Sequence, residues 1–457
     1  MKELIILSGL GLFALASEVF NFRKILFPVV ILGLLASITV SVFDWNTNEV
    51  VFNMIIADNF ALAFNIILSS IALFWFILSK EYQVNDKSIS DYFSLVLFAL
   101  VGTYSMVSFS NLTMLFIGIE ILSLPMYVLA GSSKKDLSSN EASFKYFLMG
   151  SFASGFLLFG IALIYGATGS LDLATIAGKI STQSAGIPSF LIVGILLVIF
   201  ALGFKVSAAP FHFWAPDVYQ GSPTIITALM STVVKIAAFG AFFRLFSNCF
   251  TPLINDYSMV LWLLCSLTLL AGNITAVWQQ NAKRMLAYSS IAHAGFMLMA
   301  VLAMNANSVG AILYYSVAYG SASLTAFTVL IALGKSNGDD YSISAFNGLI
   351  KNNPLMGLAM TIALLSMAGI PPLSGFFAKY FIFSSVFDAG YNWLVIIAII
   401  GSLIGVYYYF KIVIAMFTGK HTITAFPLPI STKIVLWSLT IITLLAGLFP
   451  GLIINLI

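Results

Sequence analysis

The chain has 457 residues, 60% of them hydrophobic and only 8% charged, against about 25% charged in an ordinary soluble domain. So few polar groups cannot cover a water-facing surface, which excludes a soluble globular fold and makes lipid the solvent for most of the chain. The net charge of +3 is small, and Cys249 and Cys265 stand alone, with no CxxC or Cys/His cluster for a metal or iron–sulfur centre.

In chain order, Met1 to Phe20 reads as a first span and not as a cleaved leader, because Glu18 and Phe20 occupy the place where small residues precede a cleavage site. Apolar runs of about 17–25 residues suffice to cross about 30 Å of hydrocarbon. Such runs fall at 3–20, 25–43, 60–79, 91–109, 110–131, 144–166, 188–209, 223–247, 257–277, 285–304, 308–333, 354–386, 391–417 and 432–455. The expectation is an all-α polytopic membrane protein of about fourteen transmembrane helices, a single membrane domain over 1–457. Polar links at 80–87 and 335–353 are too short to be soluble domains.

Charge placement gives an orientation. With the N-terminus outside, fourteen of the 20 Lys and Arg residues gather on the inner side, three stay outside (Lys2, Lys179, Arg244) and three lie within spans (Lys205, Lys235, Lys379). That partition follows the positive-inside rule and puts both termini outward.

Two spans are interrupted. Pro210 and Pro216 break the seventh, in GFKVSAAPFHFWAPDVYQGSPT, and Pro371 and Pro372 break the twelfth, in AGIPPLSGFFAK. The twelfth run is also too long for one straight crossing, since its 33 or so residues reach roughly 50 Å. Both carry a Lys near the break, and they are five spans apart, an odd number. The expected organisation is therefore two inverted five-helix repeats, 88–250 and 256–418, with three helices before them (1–80) and one after (430–457). Paired broken spans of this kind point to a transport site near the midplane.

Four ionisable residues sit deep in these runs. Glu120 is near the middle of NLTMLFIGIEILSLPMYVLAG, and Lys235 lies roughly 17 Å along the axis from either boundary, too far to snorkel. Lys205 and Lys379 flank the breaks. A buried Glu–Lys pair that locks helices together is the structural alternative. Each charge costs about 2.5–3.5 kcal/mol to insert, however, and one carboxylate neutralises at most one of three lysines by direct pairing. A transport role for the set is the better expectation. Burial lowers a lysine pKa and a nearby carboxylate raises it, so a Lys can be switched between proton uptake and release where an Arg cannot. The order expected is Glu120 modulating Lys205, Lys205 passing its proton through water to Lys235, and Lys379 handing it to the outer side.

His293 in the tenth span fits a relay by its ordinary pKa of about 6.5, and equally fits a hydrogen-bonded packing residue. His212 in the first break is read as a partner for freed carbonyls, Asp217 as a helix cap or a proton-gathering group at the inner mouth. Lys134, Lys135, Lys283 and Arg284 read as inner-face anchors. GLGLFA (9–14) matches a dinucleotide fingerprint but lies in an apolar span with no preceding strand, and is set aside. Gly401 and Gly405 form a GxxxG suited to close helix packing.

These stretches carry a resemblance. Residues 203–224, MSTVVKIAAFGAF (230–242), QNAKRMLAYSSIAHAGFM (280–297) and NPLMGLAMTIALLSMAGIPPLSGFFAKYFIF (353–383) are similar to the antiporter-like subunits of respiratory complex I, the NADH-quinone oxidoreductases, and within them to the subunit N branch. The resemblance spans nearly the whole chain. It implies fourteen helices, inverted repeats, and a charged axis whose fifth-, seventh-, eighth- and twelfth-helix members fall on Glu120, Lys205, Lys235 and Lys379. A Lys at 379 and a chain stopping soon after the last span both point to subunit N. The resemblance further implies partner subunits that hold flavin, iron–sulfur clusters and quinone, with no cofactor or metal in this chain, and residence in a bacterial cell inner membrane. The expected function is proton translocation driven by electron transfer from NADH to quinone in those partners. The competing expectation is a subunit of a multi-subunit cation/proton antiporter.

Overall fold

The computed structural model describes residues 2–82, 89–182, 188–418 and 426–456; Lys87 and Lys420, counted above on the inner side, lie outside them. The described chain is overwhelmingly helical. Its helices are α1 (Lys2–Val19), α2 (Arg23–Phe43), α3 (Asn59–Tyr82), α4 (Ile89–Ser108), α5 (Leu112–Ala130), α6 (Leu137–Thr168), α7 (Leu173–Thr182), α8 (Ser189–Lys205), α9 (Trp214–Gly221) and α10 (Thr224–Leu229). After a π-helical turn at Met230–Val234 come α11 (Lys235–Leu245), α12 (Ile254–Val277), α13 (Ala282–Ala303), α14 (Ala306–Asn337), α15 (Leu349–Asn352), α16 (Pro354–Ala368), α17 (Ser374–Asp388), α18 (Asn392–Thr418), α19 (Ile430–Leu448) and α20 (Gly451–Ile454). The all-α expectation misses one hairpin, β1 (Glu49–Val51) paired antiparallel with β2 (Ile55–Ala57). Asn46, Asn48, Phe52 and Asn53 take positive φ around it, turn chemistry that hydropathy does not register.

Among the described residues ten helical stretches are long and apolar enough to cross a membrane. This is a multi-pass membrane protein. One stretch, Thr224–Val277, has 54 residues and covers two of the expected spans, with Pro252 in a 3₁₀ turn (Thr251–Leu253) between α11 and α12. Helix α1 falls outside the ten: it carries Lys2, Glu3 and Glu18 in 18 residues. The two interruptions expected are present: α8 ends at Lys205 and the chain resumes as α9, and the twelfth run is divided into α16 and α17, so α8 and α16 alone are short of a full crossing.

The chain forms two compact units. The first comprises Met1–Ser70, Asn85–Trp214 and Val233–Cys265. Here α4 lies against both α1 and α5, and α6 against α8. The α6–α8 approach depends on Gly160 and Gly194, because a Cβ on either would stand within about 3 Å of the other's carbonyl oxygen. Arg244 on α11, 2% exposed, forms an ion pair with Asp58, which also caps the start of α3 by accepting from the Ala61 amide.

The second unit comprises Ile71–Val84, Ala215–Thr232 and Ser266–Ile457. Helices α13 and α14 form its centre: 94% of their apolar windows is buried, against 33% for α18. Helices α16, α17 and α19 pack on α14, and α18 on α16. Gly401 does serve close packing, since a Cβ there would lie 2.9 Å from the Asn273 side chain, whereas one on Gly405 would make only ordinary contact. Large side chains such as Trp393, Leu403 and, in the first unit, Phe152 point outward, as suits a surface solvated by acyl chains.

Candidate functional site

Helix α8 stops at the residue of greatest interest. Lys205 is its last member, and the chain then leaves the helix through a Schellman motif: Ala208 N–H donates to the Gly203 carbonyl (2.8 Å) and Ser207 N–H to the Phe204 carbonyl (3.0 Å). The left-handed position of that motif is held by Ser207, φ +59°, where glycine is the usual occupant. The Trp214 indole donates to the Phe204 carbonyl as well (3.1 Å), so the backbone freed by the break is taken up locally.

The ammonium of Lys205 donates to Ser123 Oγ (2.6 Å), and Ser123 in turn donates to the Ile119 carbonyl on α5. Glu120, next on that helix, accepts from Ser154 Oγ of α6 (2.5 Å). The Glu120 and Lys205 charges thus meet serines and make no direct ion pair, though both belong to the same neighbourhood. Ser123, Ser154 and Lys205 line a cavity of about 20 Å³, which accommodates one water. Lys235, 2% exposed at the start of α11, donates to Ser207 Oγ (2.9 Å). The strained serine of the break is therefore a ligand of the next lysine in the chain. Ser123, Ser154 and Ser207 escaped sequence reasoning, because a serine in an apolar helix or break carries no pattern of its own.

The second break repeats the backbone of the first. Helix α16 ends in the same motif, with Ile370 N–H on the Leu365 carbonyl (3.1 Å) and Gly369 N–H on that of Ser366 (2.9 Å). Gly369 holds the left-handed position at φ +89°, and in each break the peptide bond entering the third residue beyond that position, Ala209–Pro210 or Pro371–Pro372, is cis. The lysines do not correspond. Lys205 precedes its left-handed residue by two positions, whereas Lys379 follows Gly369 by ten, on the far half-helix α17. By that register the counterpart of Lys379 is Asp217. Lys379 folds back across the break: its Nζ donates to the Ala368 carbonyl (2.9 Å), at the negative end of α16, and to Ser402 Oγ on α18 (2.8 Å). A Cβ at Gly369 would come within 3.2 Å of that Nζ, so glycine is required there twice over.

In the second unit His293 is buried between two tyrosines, with Nδ1 2.6 Å from Tyr315 Oη and Nε2 3.1 Å from Tyr409 Oη. Tyr409 also meets Ser289. A neutral imidazole donates through one nitrogen and accepts through the other, so this grouping holds a proton in defined places. His212 lies in the first break with its Nδ1 buried and unbonded. Asp217 sits in the first turn of α9, where it accepts from Arg284 Nη1 (2.9 Å).

Lys283 is not a surface anchor. It is 3% exposed, its Nζ donates to the Ser222 carbonyl just beyond α9 (2.5 Å), and it lies 5.4 Å from the centre of the Tyr341 ring. Tyr341 accepts from Thr224 Oγ1 (2.9 Å) and donates to Asp339 (2.7 Å), and burial pushes its phenol above the ordinary range. A KR pair reads as interfacial from sequence; only tertiary packing turns one member inward. Among the described residues no group of three or more His, Cys, Asp or Glu is placed to hold a metal ion.

Residues 110–405, a stretch containing Glu120, Lys205, Lys235, His293 and Lys379, match the family described as NADH:quinone oxidoreductase/Mrp antiporter, transmembrane. The chain belongs to this family. Among its relatives, NADH-quinone oxidoreductase subunit N of Cytophaga hutchinsonii is 44% identical, over 100% of this chain and 99% of that protein. A chain of respiratory complex I from Thermus thermophilus is 33% identical with a TM-score of 0.86, covering 99% of this chain and 98% of its own. A chain of the Mrp complex from Dietzia sp. DQ12-45-1b, 22% identical, shares the fold at a TM-score of 0.88 over 99% of this chain and 95% of its own.

Proposed function

We propose that this chain is the proton-translocating subunit N of an NADH-quinone oxidoreductase, a translocase whose flavin, iron–sulfur clusters and quinone chemistry reside in partner subunits. The observation that carries this reading is the full-length similarity to subunit N of Cytophaga hutchinsonii, together with three lysines buried in apolar helices, two of them beside a break, and hydrogen-bonded to hydroxyls. A hydroxyl accepts from an ammonium and can equally donate to a neutral amine, so it serves a lysine in either protonation state. A carboxylate would hold the lysine charged. Glu120 modulates Lys205, Lys205 and Lys235 exchange a proton by way of water and the serines, and Lys379, with His293, completes the path to the outer side.

The membrane is the bacterial cell inner membrane, with both termini on its outer face; the inner-side concentration of Lys and Arg supports that orientation. Two inverted five-helix repeats are supported by the matching ends of α8 and α16. The offset of Lys205 and Lys379 around those ends means that the repeats share a scaffold while placing charge differently.

The test uses the assembled oxidoreductase in sealed vesicles. Lys205→Ala and Lys379→Ala are expected to lower protons moved per NADH while NADH-driven quinone reduction persists. Full pumping by either variant would sink the relay. The second reading, a cation/proton antiporter subunit, draws on the fold shared with the Mrp complex. Recovery of the chain with membrane subunits alone, together with sodium-dependent proton exchange and no flavin, would establish that reading instead.

A further inference from the structure

Two buried polar groups in the second unit are each turned toward one phenyl ring. Ser289, His293 and Phe296 follow one another at helical spacing on one face of α13. The hydrogen-bonded side chains Tyr409 and Tyr315 hold His293, and its ring lies 6.1 Å from that of Phe296, one turn further along. At the level of Phe296 the other group begins: Lys379 Nζ stands over the ring, 5.0 Å from its centre, held by Ser402 and the Ala368 carbonyl. Phe296 is 2% exposed and packs against Phe383 of α17, so the ring is confined.

We infer that Phe296 is the barrier of this half of the path, an apolar gate between the His293 group and Lys379. The inference rests on the relay reading given above. A proton leaving an imidazolium N–H at His293 and arriving on the neutral amine of Lys379 needs an unbroken series of donors and acceptors, and a phenyl ring supplies neither. The same ring attracts the ammonium by cation–π interaction, so a charged Lys379 stays seated on it and a neutral one is released. Passage then requires Phe296 to move or water to pass it, which gives the pump a step that leak cannot take. Sequence gave no sign of this: one Phe among 41 has no signature until Lys379 is found above it.

The experiment places the complete oxidoreductase, with variants of this chain, in proteoliposomes and measures passive proton flux under an imposed pH difference without NADH, beside NADH-driven pumping. Phe296→Ala should raise passive flux several-fold and lower protons moved per NADH. Phe296→Leu, which keeps apolar bulk, should return both toward the parent values. The double variant F296A/K379A should lose the added flux, because the leak runs through Lys379. Phe296→Thr removes the ring while leaving a smaller cavity, and should leak like the alanine variant if the latter does not assemble. Passive flux at the parent level in whichever of these two variants assembles, or a leucine variant as leaky as alanine, overturns the gate. Full pumping by Lys379→Ala overturns the relay reading itself, so the two failures are distinct.

Discussion

At the residue scale the decisive feature is the partner each lysine has. Ser207 combines an unfavourable backbone conformation with a functional side chain, and the two contributions separate by mutation. Ser207→Gly relieves the left-handed conformation, whereas Ser207→Ala keeps it at a cost of about 1 kcal/mol. Both remove the hydroxyl that Lys235 Nζ uses. Both variants should therefore impair proton translocation alike, while the purified complex unfolds at a lower temperature with alanine than with glycine. Equal pumping by parent and glycine variants would remove Ser207 from the path. Lys283 makes a further case. Lys283→Met leaves the Ser222 carbonyl without its donor and should destabilise the complex by about 1–3 kcal/mol, with Lys283→Arg recovering part of that loss in the same thermal assay.

At the element scale, the broken spans work because each half-helix closes its own hydrogen bonds. The Schellman ends of α8 and α16 absorb carbonyls that lipid could not satisfy, leaving the following residues free to bend. Gly369→Ala tests this. A Cβ at φ +89° is strained and also crowds Lys379 Nζ, so a loss of about 1–3 kcal/mol in stability should accompany a loss of pumping. The two breaks were legible as proline-interrupted apolar runs. That Lys205 and Lys379 occupy different steps around the break was not, because register depends on where each helix stops, and a left-handed serine is invisible in a sequence.

At the scale of the whole molecule, isolated charges buried among apolar side chains depend on their partners. Asp58→Ala would leave Arg244 buried and uncompensated, a change expected to cost about 3–5 kcal/mol and to show as reduced assembly of the complex. The orientation proposed from the basic residues has its own check. With the native Cys249 and Cys265 buried, an impermeant thiol reagent added outside intact spheroplasts should label a cysteine placed at Gly178 and spare one placed at Ser132. The reverse pattern would invert the topology.

Composition and hydropathy by themselves determined the membrane class, most of the helices, both breaks and the buried charges, because a lipid solvent penalises every departure from apolar helix and so makes each departure visible. Only the tertiary structure decided what those charges touch. Serines around Lys205 and Lys235, the carbonyl at the end of α16, the tyrosines about His293 and the inward turn of Lys283 are contacts between segments distant in the chain, formed by packing that no local pattern encodes.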